Sequence, residues 1–209
     1  MSLLLLSPVE ARVLASLVEK SITTPAYYPM TVNALVAAAN QKSSRDPVMS
    51  LGEGEVGNAL LSLEEKNLVG RDDSSPRATK WRQKFQHQLL LKVGTQAVLA
   101  TLMLRGAQTT AELRANATAL GGPAEADGVQ AALDDLADRA QPLVRTLPRL
   151  AGQSAVRHVH LLCGEPDLGA LMAAEPAPRP VVNPGLEARV SELEQRLASL
   201  EQRLAALGG

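Results

Sequence analysis

The stretch "LVGRDDSSPRATKWRQKF", Leu68 to Phe85, decides how this chain is read. "LVGRDD" has the pattern of a strand, "SSPR" of a turn, and "TKWRQKF", Thr79 to Phe85, of a second strand. Side chains alternate along a strand. Thr79, Trp81, Gln83 and Phe85 therefore share one face, and Lys80, Arg82 and Lys84 share the other. Two of the chain's four aromatic residues point one way and three cations point the opposite way. Such a hairpin needs a core to lean on.

Upstream, that core is helical. Ser7 caps a first helix, Pro8 takes its first position, and Glu10 can complete a capping box. Val9, Val13 and Leu17 recur on one stripe. "TTPAYYP" breaks the helix. A second helix starts near Thr31, with Val32, Leu35, Val36 and Ala39 on one side. The polar loop Asn40 to Pro47 follows. A third helix carries Val56, Leu60 and Leu63 and ends near Asn67. Helix, helix, helix, strand, turn, strand is the order of a winged helix.

Downstream the order repeats. Val98 and Leu102 mark a helix ending at Arg105 and Gly106. Thr109 and Glu112 form a second capping box before a helix holding Leu113. Val129, Leu133 and Leu136 repeat the spacing of Val56, Leu60 and Leu63. "PLVRTL" and "AVRHVHLL" read as two strands. The expected fold class is mainly α with small β-hairpins, an α+β chain. It divides into a first winged helix over 1–88, a second over 89–164, a Pro- and Ala-rich linker over 165–185 and a coiled-coil helix over 186–209.

The terminal helix has a strict heptad. Val190, Leu197 and Leu204 fall at a; Leu186, Leu193, Leu200 and Leu207 fall at d. Arg189, Arg196 and Arg203 fall at g and Glu187, Glu194 and Glu201 at e, so in a parallel pair Arg189 would meet Glu194 and Arg196 would meet Glu201. An antiparallel pair would set Arg on Arg. Self-association through a parallel coiled coil is expected, with dimer and trimer both open because Leu dominates a and d.

Bulk properties narrow the functions. Of 209 residues, 45% are hydrophobic and 2% aromatic, so the core must be built of Ala, Val and Leu. The net charge of −1 rules out a general polyanion binder; any nucleic-acid contact must be a local patch. Cys163 is the single cysteine, which excludes an intrachain disulfide and suits a reducing compartment. "MSLLLLSP" is too short for a signal-peptide core and lacks a basic leader. No run approaches the ~20 apolar residues of a membrane span. A cytoplasmic protein without a membrane partner is expected.

The segments "EARVLASLVEK", "YPMTVNAL", "NQKSSRDPVM" and "LRGAQTTAELR" resemble the YceH-like family of bacterial proteins. The resemblance covers most of residues 3–164. It implies a tandem winged-helix fold and carries no established catalytic residues to this chain.

The residues themselves offer little chemistry. "GEGEVG", Gly52 to Gly57, fits the glycine spacing of a dinucleotide loop. No strand precedes it, and Glu53 and Glu55 would repel phosphate; acidic residues in a first helical turn are ordinary dipole partners. His158 and His160 share one strand face near Cys163, but only Glu165 stands by as a further ligand, short of a zinc set. No serine sits in a nucleophile elbow. Asp134 and Asp135 read as a solvated helix face. No catalytic residue, metal or cofactor is expected, and the chain is read as a non-enzyme.

The basic residues remain. Lys42, Arg45, Arg77, Lys80, Arg82 and Lys84 are the candidates for nucleic-acid contact, through the loop before the third helix and through the wing. Against them, the third helix carries Glu53, Glu55, Glu64 and Glu65, and its counterpart carries Asp127, Asp134 and Asp135. Acidic helices meet phosphate badly. Two readings stay open. One is a DNA-binding accessory or regulatory protein that contacts duplex phosphates through its wing. The other is a protein-interaction adaptor, with an architecture similar to the kleisin-associated subunits of bacterial condensin. The basic strand could also simply keep a hairpin edge from aggregating.

Overall fold

In the computed structural model, residues 4–72, 78–149 and 155–166 are described, together with Gly169. The heptad residues Leu186, Val190, Leu193, Leu197, Leu200, Leu204 and Leu207 lie outside the described residues, as does nearly all of the preceding linker.

The chain begins with helix α1, Pro8–Thr23. Its capping box is complete: Ser7 Oγ accepts from the Glu10 N–H at 3.2 Å, and the Glu10 carboxylate accepts from the Ser7 N–H. A short 3-10 turn, Pro25–Tyr27, leads to α2, Val32–Ala39, whose start is fixed by Thr31 Oγ1 accepting from the Ala34 N–H. Helix α3 spans Glu53–Glu65. It ends at Asn67, which takes the left-handed conformation that Asn tolerates, with φ 57. The Asn67 N–H then reaches the Glu64 carbonyl and the Leu68 N–H the Leu63 carbonyl, satisfying the orphan groups of the last turn.

Strands β1, Val69–Asp72, and β2, Lys80–Gln83, form an antiparallel pair with Arg71 opposite Trp81. Trp81 also exchanges backbone hydrogen bonds with Met30, at 2.8 and 3.1 Å. The hairpin is thereby stitched to the segment between α1 and α2. A short helix α4, Phe85–Gln88, closes the first repeat.

The second repeat follows the same plan: α5 Val93–Arg105, α6 Thr110–Ala117, α7 Ala126–Ala137, then β3 Val144–Thr146 antiparallel to β4 His158–His160. Matching backbone bonds carry the equivalence. Gln108 pairs with His158 as Met30 pairs with Trp81. The Leu161 N–H bonds the Leu143 carbonyl as the Lys84 N–H bonds the Leu68 carbonyl. After α6 the chain turns through Gly121, φ 77, and Gly122, where an added Cβ would meet the Ala117 carbonyl oxygen at 2.7 Å. Only glycine fits there.

Met1–Pro166 form one compact unit, and the buried apolar residues of both repeats belong to one core cluster. Helices α1 and α5 pack on each other at its centre. Every residue from Glu10 to Val18 and from Thr95 to Leu104 is buried. The sequence suggested a one-sided stripe on α1; the observed helix is enclosed all round, as a helix between two layers must be. The N-terminal segment adds a closure: the Leu6 N–H bonds the Leu162 carbonyl at 2.7 Å, and the Gln141 side chain bonds the Leu4 backbone in both directions.

The alternation expected of Thr79 to Phe85 holds at its two aromatics, with Trp81 5% exposed and Phe85 fully buried. It fails at Thr79, which is exposed, and at the end of the strand, since Phe85 is already the first residue of α4.

Two predictions follow from this packing. Trp81→Ala should cost about 3–5 kcal/mol of stability, the usual range for emptying an aromatic site in a core; denaturant unfolding followed by circular dichroism measures it. His160 has a buried Nδ1 with no partner, and burial pushes its pKa down to about 4. The folded state then holds fewer protons than the unfolded state between pH 6.5 and about 4, so stability should fall as pH drops through that window. Urea midpoints at pH 7 and pH 5 should differ in the wild type and differ less in His160→Asn.

Candidate functional surfaces

The first hairpin presents fewer free cations than its sequence suggests. Arg82 is paired with the buried Asp72 carboxylate. Arg71 donates from Nε and Nη2 to Glu64 at 3.1 and 2.9 Å, and its guanidinium lies over the Trp81 ring, 5.3 Å from the centroid. Register explains this. Residues directly opposite share a face, so Arg71 covers the outer side of the indole while Gly70 and Asp72 stand with Arg82 and Lys80. Lys84 lies beyond the strand, at the N-cap of α4, and its side chain folds across Gly70, where a built Cβ would come 2.6 Å from Cε. Its Nζ reaches Asn67 Oδ1 at 3.4 Å. Lys80 is half-buried and Lys84 exposed. Lys80 and Arg82 stand on the strand, and Lys84, just past its end, folds back over Gly70 on the same face, where Arg82 is already paired with Asp72. Arg77 lies outside the described residues.

Arg45 requires a correction. Its side chain is buried, and it donates to Glu19 in a fork, Nη1 to Oε1 at 3.1 Å and Nη2 to Oε2 at 2.6 Å. It also bonds the Ser44 and Ala38 carbonyls and Gln41 Oε1. A planar guanidinium with this many partners organises the loop and is unavailable to phosphate. Burial alone would raise the Glu19 pKa, but Arg45 and Lys20 pull it below the ordinary carboxylate range. Lys42, in the same loop, is exposed.

A second buried arginine escaped the sequence reading. Arg12, 1% exposed, sends Nη1 to the Ala39 carbonyl at 3.2 Å and Nη2 to the Pro47 carbonyl at 2.7 Å. Its position inside the apolar stripe of α1 gave no signal of this role. With Asn40, whose amide bonds the Leu51 backbone in both directions, it fixes both ends of the Asn40–Pro47 loop.

The other candidate chemistries resolve structurally. Gly52 sits at the N-cap of α3, and its N–H donates to the Glu55 carboxylate at 2.9 Å; the preceding residues form no strand. His158 is buried, with Nε2 at 3.2 Å from Thr110 Oγ1 and Nδ1 at 3.0 Å from Thr146 Oγ1. Burial lowers its pKa, with Asp134 opposing. Both ring nitrogens are occupied, so His158 fills in the second repeat the place Trp81 fills in the first. Cys163 is exposed on the surface. Among the described residues, no group of three or more His, Cys, Asp or Glu is arranged to hold a metal ion. Among them too, no helix is long and apolar enough to cross a membrane.

The exposed faces of the third helices complete the picture. Glu53, Glu55, Asn58, Leu61 and Glu65 face solvent on α3, with Leu61 47% exposed. On α7, Asp127, Gln130, Ala131, Asp134 and Ala137 do so. A shallow cavity of about 600 Å³ at the end of α7 is lined by Asp134, Asp135, Asp138 and Arg139.

Comparison with known proteins places this chain in a family. A family model described as "Protein of unknown function, DUF480" matches residues 6–153. A UPF0502 protein of Mesorhizobium japonicum is 44% identical over 205 residues, 98% of this chain and 97% of the relative. A UPF0502 protein of Geobacter sulfurreducens is 46% identical over 167 residues, 80% of this chain and 76% of the relative. One from Burkholderia ambifaria is 48% identical over 160 residues, 77% and 67% respectively. The family match runs from the start of α1 to the far side of β3, and on this evidence the chain belongs to the DUF480 family, whose matched relatives carry the UPF0502 designation.

Proposed function

We propose that each helix–helix–helix–hairpin repeat is a winged helix and that the pair acts as a non-enzymatic docking module for a protein partner, engaged through the exposed faces of α3 and α7. The observation that carries this reading is charge. Neither helix contains a Lys or Arg, while α3 exposes Glu53, Glu55 and Glu65 and α7 exposes Asp127 and Asp134. A helix of that composition in a major groove would set carboxylates among phosphates, where binding is dominated by neutralisation. Against a basic protein face the same charges steer association. Exposed Leu61 supplies an apolar contact at the centre of the α3 face.

A second reading rests on Lys42, Lys80 and Lys84, which make no ion pair among the described residues. Through them the chain would contact duplex phosphates weakly and without base readout. Pull-downs with and without nuclease separate the two. Protein capture should survive nuclease and be lost in a Leu61→Asp, Glu65→Lys variant, while Lys42, Lys80 and Lys84→Glu should leave it intact. Capture that vanishes with nuclease, with duplex affinity that collapses in the triple variant and falls steeply with salt, would overturn the docking reading in favour of the second.

The tail belongs to the same proposal. A parallel coiled coil over 186–209 would present two docking surfaces on one tether, raising effective concentration without a new contact. Light scattering should give a multiple of the 22.1 kDa chain mass for the full protein and a monomer for a chain ending at Pro184.

A further inference from the structure

The loop between α2 and α3 takes no part in the docking faces, yet arginines from both α1 and α5 bond it. Ser44 is bracketed by two guanidinium groups from different elements. Its carbonyl accepts from Arg45 Nη1 at 2.9 Å, and its hydroxyl accepts from Arg105 Nη2 at 2.6 Å. Ser44 itself is held in the left-handed region, φ 60, a conformation serine seldom adopts. The loop is bound to the end of α5 a second time by the Asp46 N–H on the Leu104 carbonyl at 2.8 Å.

The charges around this junction do not balance. Arg12, Lys20, Arg45 and Arg105 are set against two carboxylates, Glu19 and Asp46. Glu19 is already taken by Arg45 and Lys20. Asp46 is exposed and acts on Arg12 only through space. Among the described residues no carboxylate lies within ion-pair distance of Arg12 or of Arg105. The Nε atoms of Arg12 and Arg45 are buried without a partner. Burial and the neighbouring Arg45 charge both disfavour the charged forms of Arg12 and Arg105.

Arg105 differs from the other two arginines in being half-buried. Its fork has five N–H donors, of which the Ser44 hydroxyl uses one. A hydroxyl that accepts one bond still has a proton to donate. Lys42 is exposed two residues earlier on the same loop. We propose that Arg105, the Ser44 hydroxyl and Lys42 form a binding site for a phosphate-type oxyanion at the junction of the two repeats. The guanidinium supplies the paired donors that match a tetrahedral oxyanion, Ser44 adds a third donor, and Lys42 a point charge. The anion offsets the excess charge of the buried arginines behind it. The simplest competing role for Arg105 is that of a cation at the C-terminus of α5, where it favours the helix dipole. That role needs no ligand.

The experiment is a titration of the full chain with inorganic phosphate, read by ³¹P line broadening at ionic strength held constant with chloride. Saturable broadening is expected for the wild type. Arg105→Lys, which keeps the charge and the helix-end cation but removes the fork, should weaken it at least tenfold; Lys42→Met should weaken it several-fold. Circular dichroism confirms that each variant is folded. Wild-type broadening no greater than chloride alone allows, or Arg105→Lys binding as the wild type does, overturns the site. A short duplex then identifies the source of the oxyanion. Displacement of phosphate by the duplex assigns the site to a nucleic-acid backbone, and failure to displace assigns it to a small phosphate compound; both outcomes keep the site. The result is independent of the α3 and α7 variants, so it stands or falls apart from the docking reading.

Discussion

The packing of α1 against α5 is the constraint on which the rest depends. Each is the first helix of its repeat, and each buries nine or more consecutive residues. A helix enclosed on all sides cannot shed its polar residues into water. Arg12, Ser16 and Thr101 are consequently buried in the two central helices. Thr101 returns its hydroxyl to the Ala97 carbonyl one turn back. Arg12 has no such local option and reaches across to the Ala39 and Pro47 carbonyls. An unpaired buried guanidinium is costly to solvate and costly to leave without acceptors. The ordered Asn40–Pro47 loop is the structural answer: its backbone carbonyls are the acceptors.

The same pair explains why two repeats of one plan differ in their hairpins. Both hairpins are joined to the segment before the second helix, at Met30 with Trp81 and at Gln108 with His158. In the first, the indole fills the gap and Arg71 closes it from outside. In the second, the smaller imidazole is held by hydroxyls on either side, Thr110 and Thr146. With so few aromatics in the chain, the second repeat secures its hairpin with hydrogen bonds where the first uses area. Burial of a neutral imidazole with both nitrogens partnered satisfies its polarity but ties it to pH, whereas the indole carries no such dependence.

Local order was legible in the sequence wherever one residue type has one physical use. Ser7, Thr31 and Thr109 cap helices because a hydroxyl can take an orphan N–H, and all three do so. The apolar spacing of Val56, Leu60 and Leu63, repeated at Val129, Leu133 and Leu136, located two equivalent helices whose marked residues are all buried. What remained hidden was long-range. Nothing in the spacing of Arg45 distinguishes a guanidinium that meets solvent from one that meets Glu19, because the partner lies 26 residues away. Nor does the sequence of α1 say that its second face will be covered by a helix of the other repeat. Arg12 sits between apolar residues in a pattern that solvent exposure would have explained equally well.

Electrostatic availability obeys the same rule. The arginines of both hairpins tend to find carboxylates: Arg71 with Glu64, Arg82 with Asp72, Arg145 with Glu165, Arg157 with Glu112. Exposed pairs of this kind contribute little stability, commonly ~0–1 kcal/mol each. Their effect on recognition is larger than their effect on folding. A phosphate approaching Arg82 must compete with the buried Asp72 carboxylate. An exposed lysine such as Lys42 releases only water and counterion. Counting cations along a strand therefore overstates its affinity for polyanions. The cations that count are those without a carboxylate in ion-pair distance, and among the described residues beside the loop between α2 and α3 these are the buried Arg12 and the half-buried Arg105, whose charges water screens less than that of an exposed lysine.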